Sequence, residues 1–514
     1  FEIQLLIDCM LNYLRTYLMK KKFTVESLIK NKCILVLLVF EFSSSQLKSQ
    51  FIDATEKLGF SGGGKAAFAD YNNDGFVDIH AGALFMNDKG TKLVPASESK
   101  APGGSVVWGD FDNDGNIDLF QYTGAGSLHR NKGDGTFEKL DFPKLPTVNS
   151  MGAVWVDINN DGLIDLYVGG YEIWQQKVHP DALFINLGDG KFKEEWRSKE
   201  GSCYSARGVC ASDFNEDGYP DVYVSNYRLQ PNHLLINDGK GKLNNLAEDY
   251  GTAGNPSGII NYTGGIKYQV SGHTIGSCFD DLDNDGLIDL FVGNFSHPRP
   301  GQDHPQFLRN RGSKFGYKFE DKSSGSGLAW QESFASPSFG DFDNDGDLDL
   351  YFTTVYGVGS GNIKNFPVLY SNERQWKFSN VTSEEGLQNL PATYQSAWAD
   401  IDNDGDLDLC TAGKIFQNNS KRGNWIKIKL SGDGKNINRS AIGSIVKIRS
   451  KDSVMTRHVQ TGTGEGNQSE MTLHFGLGNL KGPLDAEILW PGKVTTISKG
   501  LKINSLHKVM YKKE

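Results

Sequence analysis

The feature that most constrains this chain is a short acidic loop that recurs seven times. Its fullest copy reads Asp341-Phe342-Asp343-Asn344-Asp345-Gly346-Asp347-Leu348-Asp349-Leu350, with carboxylates at positions one, three, five and nine and glycine at six. The copies begin at Asp70, Asp110, Asp157, Asp213, Asp281, Asp341 and Asp400, with 40 to 68 residues between successive starts. A hard cation such as Ca²⁺ takes about six to eight oxygens, and side chains at one, three, five and nine with a carbonyl at seven can wrap it. One such loop is as readily a polar turn. Seven in phase define a repeat architecture.

Metal-ligand candidates follow position by position. Position one supplies the seven aspartates just named. Position three supplies Asn72, Asp112, Asn159, Asn215, Asp283, Asp343 and Asp402. Position five supplies Asp74, Asp114, Asp161, Asp217, Asp285, Asp345 and Asp404. Position nine supplies Asp78, Asp118, Asp165, Asp221, Asp289, Asp349 and Asp408. Up to seven Ca²⁺ ions are expected, more weakly held in the loops with asparagine at three. No helical pattern flanks the loops, so they are not EF-hands. A metal there cancels carboxylate repulsion and stiffens a turn, which is a structural role rather than a catalytic one.

The flanks of each loop read as strands. A short apolar run precedes it, as in Val106-Val107-Trp108-Gly109, and another follows, as in Leu166-Tyr167-Val168. A third run ends in asparagine, as in Leu183-Phe184-Ile185-Asn186, and a glycine turn leads to a fourth. Four strands per repeat, seven times, predict an all-β chain with a seven-bladed β-propeller over 51–420. The last repeat lacks its own outer strand after Asn418, whereas Phe51-Ile52-Asp53-Ala54-Thr55 matches that of its neighbour. The N-terminal segment is therefore expected to complete the seventh blade. Beyond it, 421–514 keeps alternating patterns such as Trp425 to Leu430 and predicts a small β-rich domain.

Sixty glycines and 23% charged residues suit a turn-rich folded chain. The net charge of -10 argues against nucleic-acid binding, although seven divalent ions would reverse its sign. Residues 1–45 read as read-through followed by a signal peptide. Lys20 to Lys22 form the basic start, 33–40 the apolar run, and Ser43 to Ser45 the small residues before cleavage. The expectation is export, secreted or periplasmic, with no stable membrane span. Cys203 and Cys210 could pair in that setting. Yet Cys210 and Cys278 each stand three residues before a loop, where other copies have Ala67 or Val107, which reads as a small buried residue.

If the acidic loops join first and second strands, the longer insertions crowd the opposite face. They carry the ligand-face candidates Trp174, Tyr227, Arg228, His273, His297, Arg299, His304 and Tyr356. Ordinary loop packing explains any single one of them as well. Gly59 through Gly64-Lys65 imitates a phosphate loop, but Ala66 replaces the needed hydroxyl and no helix follows. No catalytic residue is assigned.

The repeats from Phe51 to Asn418 resemble FG-GAP (VCBS-type) repeats. Asn438-Arg439-Ser440-Ala441-Ile442-Gly443-Ser444, Gly464-Glu465-Gly466-Asn467-Gln468-Ser469, His474-Phe475-Gly476-Leu477-Gly478 and Leu489-Trp490-Pro491-Gly492 resemble the ASPIC/UnbV domain. The resemblance implies an exported calcium-binding protein and transfers no catalytic residue. The leading expectation is a binding or adhesion module for an extracellular glycan or protein. The alternatives are a calcium-scaffolded lyase, hydrolase or cyclase, or a purely structural surface component.

Overall fold

The computed structural model describes residues 51–147, 149–173, 177–199, 203–255, 259–261, 267–269, 272–298, 302–419, 422–451 and 453–513. Residues from Gln50 onward form one compact unit. It is all-β, a propeller followed by further β structure. Seven four-stranded antiparallel sheets occupy 51–418 among the described residues. Their innermost strands are Ala67–Ala69, Val106–Gly109, Ala153–Val156, Ala206–Ser212, His273–Asp280, Phe334–Gly340 and Ser396–Ala399. Each packs on the next, and the last packs on the first, so the ring is closed. All seven are buried almost throughout, because both faces of each sheet meet a neighbour and the apolar alternation gives way to continuous runs.

Ring closure works as expected. Phe51–Asp53 pairs antiparallel with Lys414–Asn418, Phe51 opposite Asn418 and Asp53 opposite Phe416. The seventh sheet is thereby built from both ends of the ring, and no free outer edge remains there.

The acidic loops do join first and second strands. Position nine begins the second strand, as at Asp78, Asp118 and Asp349. Each of these aspartates is a bracket. Asp118 accepts the Phe111 amide on one oxygen and the Asn131 amide on the other. The asparagine that ends each third strand then reaches the preceding blade. Asn131 Nδ2 donates to Tyr71 O at 2.7 Å, and Asn87 Nδ2 to Ile401 O at 2.8 Å, which links the first blade to the seventh. Asn186, Asn237, Asn310, Asn372 and Asn418 repeat the bond. Position four adds an outer bond in six of the seven blades, as where Asn73 reaches Gly115 O. In the fourth blade that position is Glu216, which cannot donate and pairs instead with Lys447.

Residues 424–510 form two further sheets. One joins Leu473–Gly478, Asn424–Ser431 and Leu506–Met510; the other joins Val454–His458, Ile445–Arg449, Leu484–Trp490 and Val494–Leu501. They share an apolar cluster with the second and third blades, in which Ile428 and Phe475 belong to the same core as Phe111 and Trp155. No helix among the described residues is long and apolar enough to cross a membrane.

Candidate functional site

The C-terminal sheets lie on the face that carries the acidic loops, a placement the repeats did not foretell. Lys427 Nζ stands 3.1 Å from Asp400 and Lys429 Nζ 3.4 Å from Asp70. The Gly476 amide donates to Asp341 Oδ2 at 2.9 Å, Val454 to Asn284 O, Gly492 to Gly218 O and Arg439 to Asn113 Oδ1. The loops are therefore an interior seam.

Within that seam, carboxylate oxygens converge within 4.8 Å in four groups: Asp110, Asp112 and Asp118; Asp281, Asp283 and Asp285; Asp341, Asp343 and Asp349; Asp400, Asp402 and Asp404. These are the four loops with aspartate at position three. In the asparagine loops the amide spends itself locally, as where Asn159 Nδ2 donates to Asp161. Burial, then neighbouring carboxylates, pushes these acids upward. Asp345 rises to about 7, and Asp118, Asp289, Asp349 and Asp408 go well above their usual range. Asp70 Oδ1, Asp281 Oδ1, Asp283 Oδ1 and Asp402 Oδ1 are buried without a hydrogen-bond donor. Clustered, desolvated and partly orphaned carboxylates fit a hard divalent cation, whose charge would replace the missing donors.

From the C-terminal sheets a finger, 461–470, enters the central channel. Inner propeller strands leave amides and carbonyls facing the axis, and the finger answers them. Gln468 exchanges backbone bonds with Ala66 and Phe68, while its side chain holds Trp108 N at 2.8 Å. Thr461 Oγ1 accepts from Trp155 N, the Gly464 amide donates to Ser277 O, Ser336 Oγ accepts from Glu465 N, and Trp398 O from Glu470 N. Two glycines make the passage. A side chain at Gly464 (φ +56) would strike Ser336, and one at Gly276 would strike the finger backbone.

The finger tip emerges at the opposite face. There the buried Glu465 carboxylate pairs with Arg207 and lies 3.8 Å from Lys65 Nζ. Tyr171, Tyr227 and Tyr394 surround the Arg207 guanidinium at 5.1 to 5.4 Å. Burial, and secondarily Arg207, pulls Lys65 down to about 8 despite Glu465. The mock phosphate loop thus ends in a lysine that serves this cluster.

Several sequence candidates meet beside it. Tyr227 packs against His273 at 4.8 Å, and His273 against His297 at 5.7 Å. His297 Nδ1 bonds Glu332 Oε1 at 2.7 Å, and Arg228 Nε bonds Glu172 at 2.8 Å. Tyr356 packs on Phe295, which also touches His297. Burial, with His297 and Arg228 adding to it, pulls His273 down to about 3, so it is neutral, and neither ring nitrogen has a hydrogen-bond partner. Burial pushes Glu332 upward, but bonds from Ser360 and His297 outweigh it and hold this carboxyl below the usual range. His304 lies outside this group, exposed against Trp330 beside a separate cavity of about 230 Å³. Trp174 and Arg299 lie outside the described residues. Sequence reasoning missed Lys65, Tyr171, Glu172, Arg207, Glu332, Tyr394 and Glu465. Only Glu465, inside a glycine-rich signature, carried a signal.

The cysteines form no disulfide among the described residues. Cys203 donates to Lys199 O, and Cys210, Cys278 and Cys410 are buried and free, which settles the pairing left open for Cys203 and Cys210.

A closed ring of four-stranded sheets with an aspartate loop in each defines a β-propeller of FG-GAP-like repeats. Residues 110–168 and 281–352 match the FG-GAP-like repeat, and residues 434–514 match ASPIC and UnbV. The chain belongs to the FG-GAP repeat proteins with a C-terminal UnbV domain. It is 24% identical over 333 residues to cartilage acidic protein 1 of Xenopus tropicalis, covering 60% of this chain and 45% of that protein. With the mouse protein of that name it shares 23% over 360 residues, 65% of this chain and 50% of that one. The chain thus spans about half the length of these relatives. Among solved structures, a lectin of Agrocybe aegerita, described as recognising terminal N-acetylglucosamine, aligns at 16% identity and TM-score 0.40, over 73% of this chain and 92% of that one.

Proposed function

We propose that this protein is an exported, calcium-stabilised binding module that engages a glycan or protein through the face opposite its acidic loops. In this reading 51–420 is one propeller, 421–514 is its cap, and residues before about 45 are removed. One observation carries the proposal. The loop face is covered, whereas the other end of the axis gathers Tyr171, Tyr227, Tyr394, Tyr356, Arg228 and His297, all partly exposed. Aromatic faces beside fixed charges are the usual furniture of a recognition site on a rigid scaffold. When bound, calcium would supply positive charge to the loops, held by the position one, three and five side chains. The chain's own residues would do the recognising.

The test is a glycan array and an extracellular-protein panel probed in calcium with wild type and Tyr227→Ala. Binding by wild type that the variant loses is expected. Binding that ignores the substitution would move the ligand elsewhere.

A second reading has a specific support. His297 is oriented by Glu332, with neutral His273 beside it, so a general base is within reach of a second imidazole. A calcium-scaffolded lyase, hydrolase or cyclase would use this pair. Glu332→Gln would then abolish turnover of a bound glycan, which a pure binding module never shows.

A further inference from the structure

The charges at the open end of the channel do not balance, and the imbalance rests on the binding face proposed above. Arg228 has Glu172, and His297 has Glu332. Arg207 and Lys65, in contrast, share the single carboxylate of Glu465, whose second oxygen is buried and accepts no hydrogen bond. The Lys65 ammonium finds one carbonyl, Met151 O, and the ring of Tyr122 at 5.7 Å. A cation held this way, nine-tenths buried beside a second cation, is under-compensated.

We infer that this end of the channel takes a carboxylate-bearing saccharide, and that Glu465 of the C-terminal finger is the positioning residue that prepares Arg207 for it. The ligand carboxylate would sit against Lys65 and the outer edge of Arg207, restoring one negative charge for each positive one. Around it the walls are tyrosine rings and hydrogen-bonding groups, with Tyr171, Tyr227 and Tyr394 stacked about the guanidinium and few aliphatic side chains. Such a lining matches a ligand with flat apolar ring faces and a dense array of hydroxyls. Three nearby carboxylates, Glu172, Glu332 and Glu465, disfavour a polyacidic peptide, which would bring several charges where one is wanted.

This makes the site composite. The blades supply the cations and rings, but the counter-ion arrives through the channel from residues fused after the propeller. Glu465 contacts no ligand in this scheme. It fixes the Arg207 fork, whose planar geometry is useful only when one side is anchored.

The experiment is calorimetric titration of the full chain, in calcium, with trigalacturonate and with its fully methyl-esterified form. The ester has the same rings and hydroxyls and no charge. The acid should bind at least tenfold more tightly than the ester. Lys65→Met should reduce the acid to the level of the ester. Glu465→Gln keeps an acceptor for Arg207 and removes a negative charge, so it should tighten acid binding several-fold. Glu465→Ala, which loses the acceptor, should weaken it. A merely structural Glu465 would not separate Gln from Ala in this way, and near-ultraviolet circular dichroism on each variant identifies any that fails to fold. Equal affinity for acid and ester overturns the anionic assignment and leaves an open-face binding module standing. Binding of hexaglutamate in preference to the sugar, or no binding of either saccharide while Tyr227-dependent ligands appear on the array, also overturns it.

Discussion

The two ends of the propeller axis solve opposite problems with the same kind of residue. At the loop end, carboxylates outnumber cations, and the surplus is buried beneath the C-terminal sheets. At the other end two cations share one carboxylate, and the surplus is left near solvent. A buried charge surplus demands a permanent counter-ion, whereas one at a rim can wait for a transient one. The difference separates what holds the molecule together from what it can recognise.

Chelation should break the comparison most severely. With excess EDTA the melting temperature is expected to fall by more than about 10 °C, since loss of a ligand bound only by the folded state is loss of stability. An unchanged melt would remove metal from the account of the loops. Next comes the finger. Gly464→Val sets a branched side chain against Ser336 at positive φ, and expulsion should cost about 3 kcal/mol or more in urea titration. The blade links rank third. Asn131→Ala strands Tyr71 O and Ile117 O in the interior and should cost about 2–4 kcal/mol, against less than about 1 kcal/mol for Asn73→Ala, whose bond is exposed. Equal costs would mean that position four, not the strand-end asparagine, joins the blades.

The smallest effect lies at the open end. Lys65 is depressed from 10.5 to about 8 on folding, so between those values the unfolded chain holds the proton that the folded chain has released. Stability from this residue therefore rises with pH across that window, by less than about 1.4 kcal/mol per unit. The difference between wild type and Lys65→Met in urea midpoints from pH 7 to 10 reads it. A flat difference would place Lys65 in water.

The blades were legible because their chemistry is local and repeated. Asp78 and Asn87 lie nine residues apart, and every copy restates the bracket they form. The outer strand from Phe51 was legible for the same reason, having siblings to match. The cap and the finger were not. Glu465 meets Arg207 across 258 residues of chain, and nothing periodic announces so distant a single pair. Its flanking glycines marked an unusual backbone without saying what it threads. Among the ligand-face candidates, Tyr227, His273 and His297 converged because their insertions rise from adjacent blades; His304 shares an insertion with His297 yet turns outward against Trp330.

The strand at Phe51–Asp53 also sets a clock. Asp53 is joined to Lys414, 361 residues later, and its backbone partners lie in that same late strand. A ribosome adding roughly 5–20 residues per second leaves that first strand without its mate for roughly 20–70 s. Throughout that interval an almost finished ring has an open seam between its seventh and first blades, with an unpaired edge on show. The finger comes later still, so the channel must be either incomplete or empty when the finger's residues are made. A chain built this way gains most from a chaperone that shields its beginning until its end arrives.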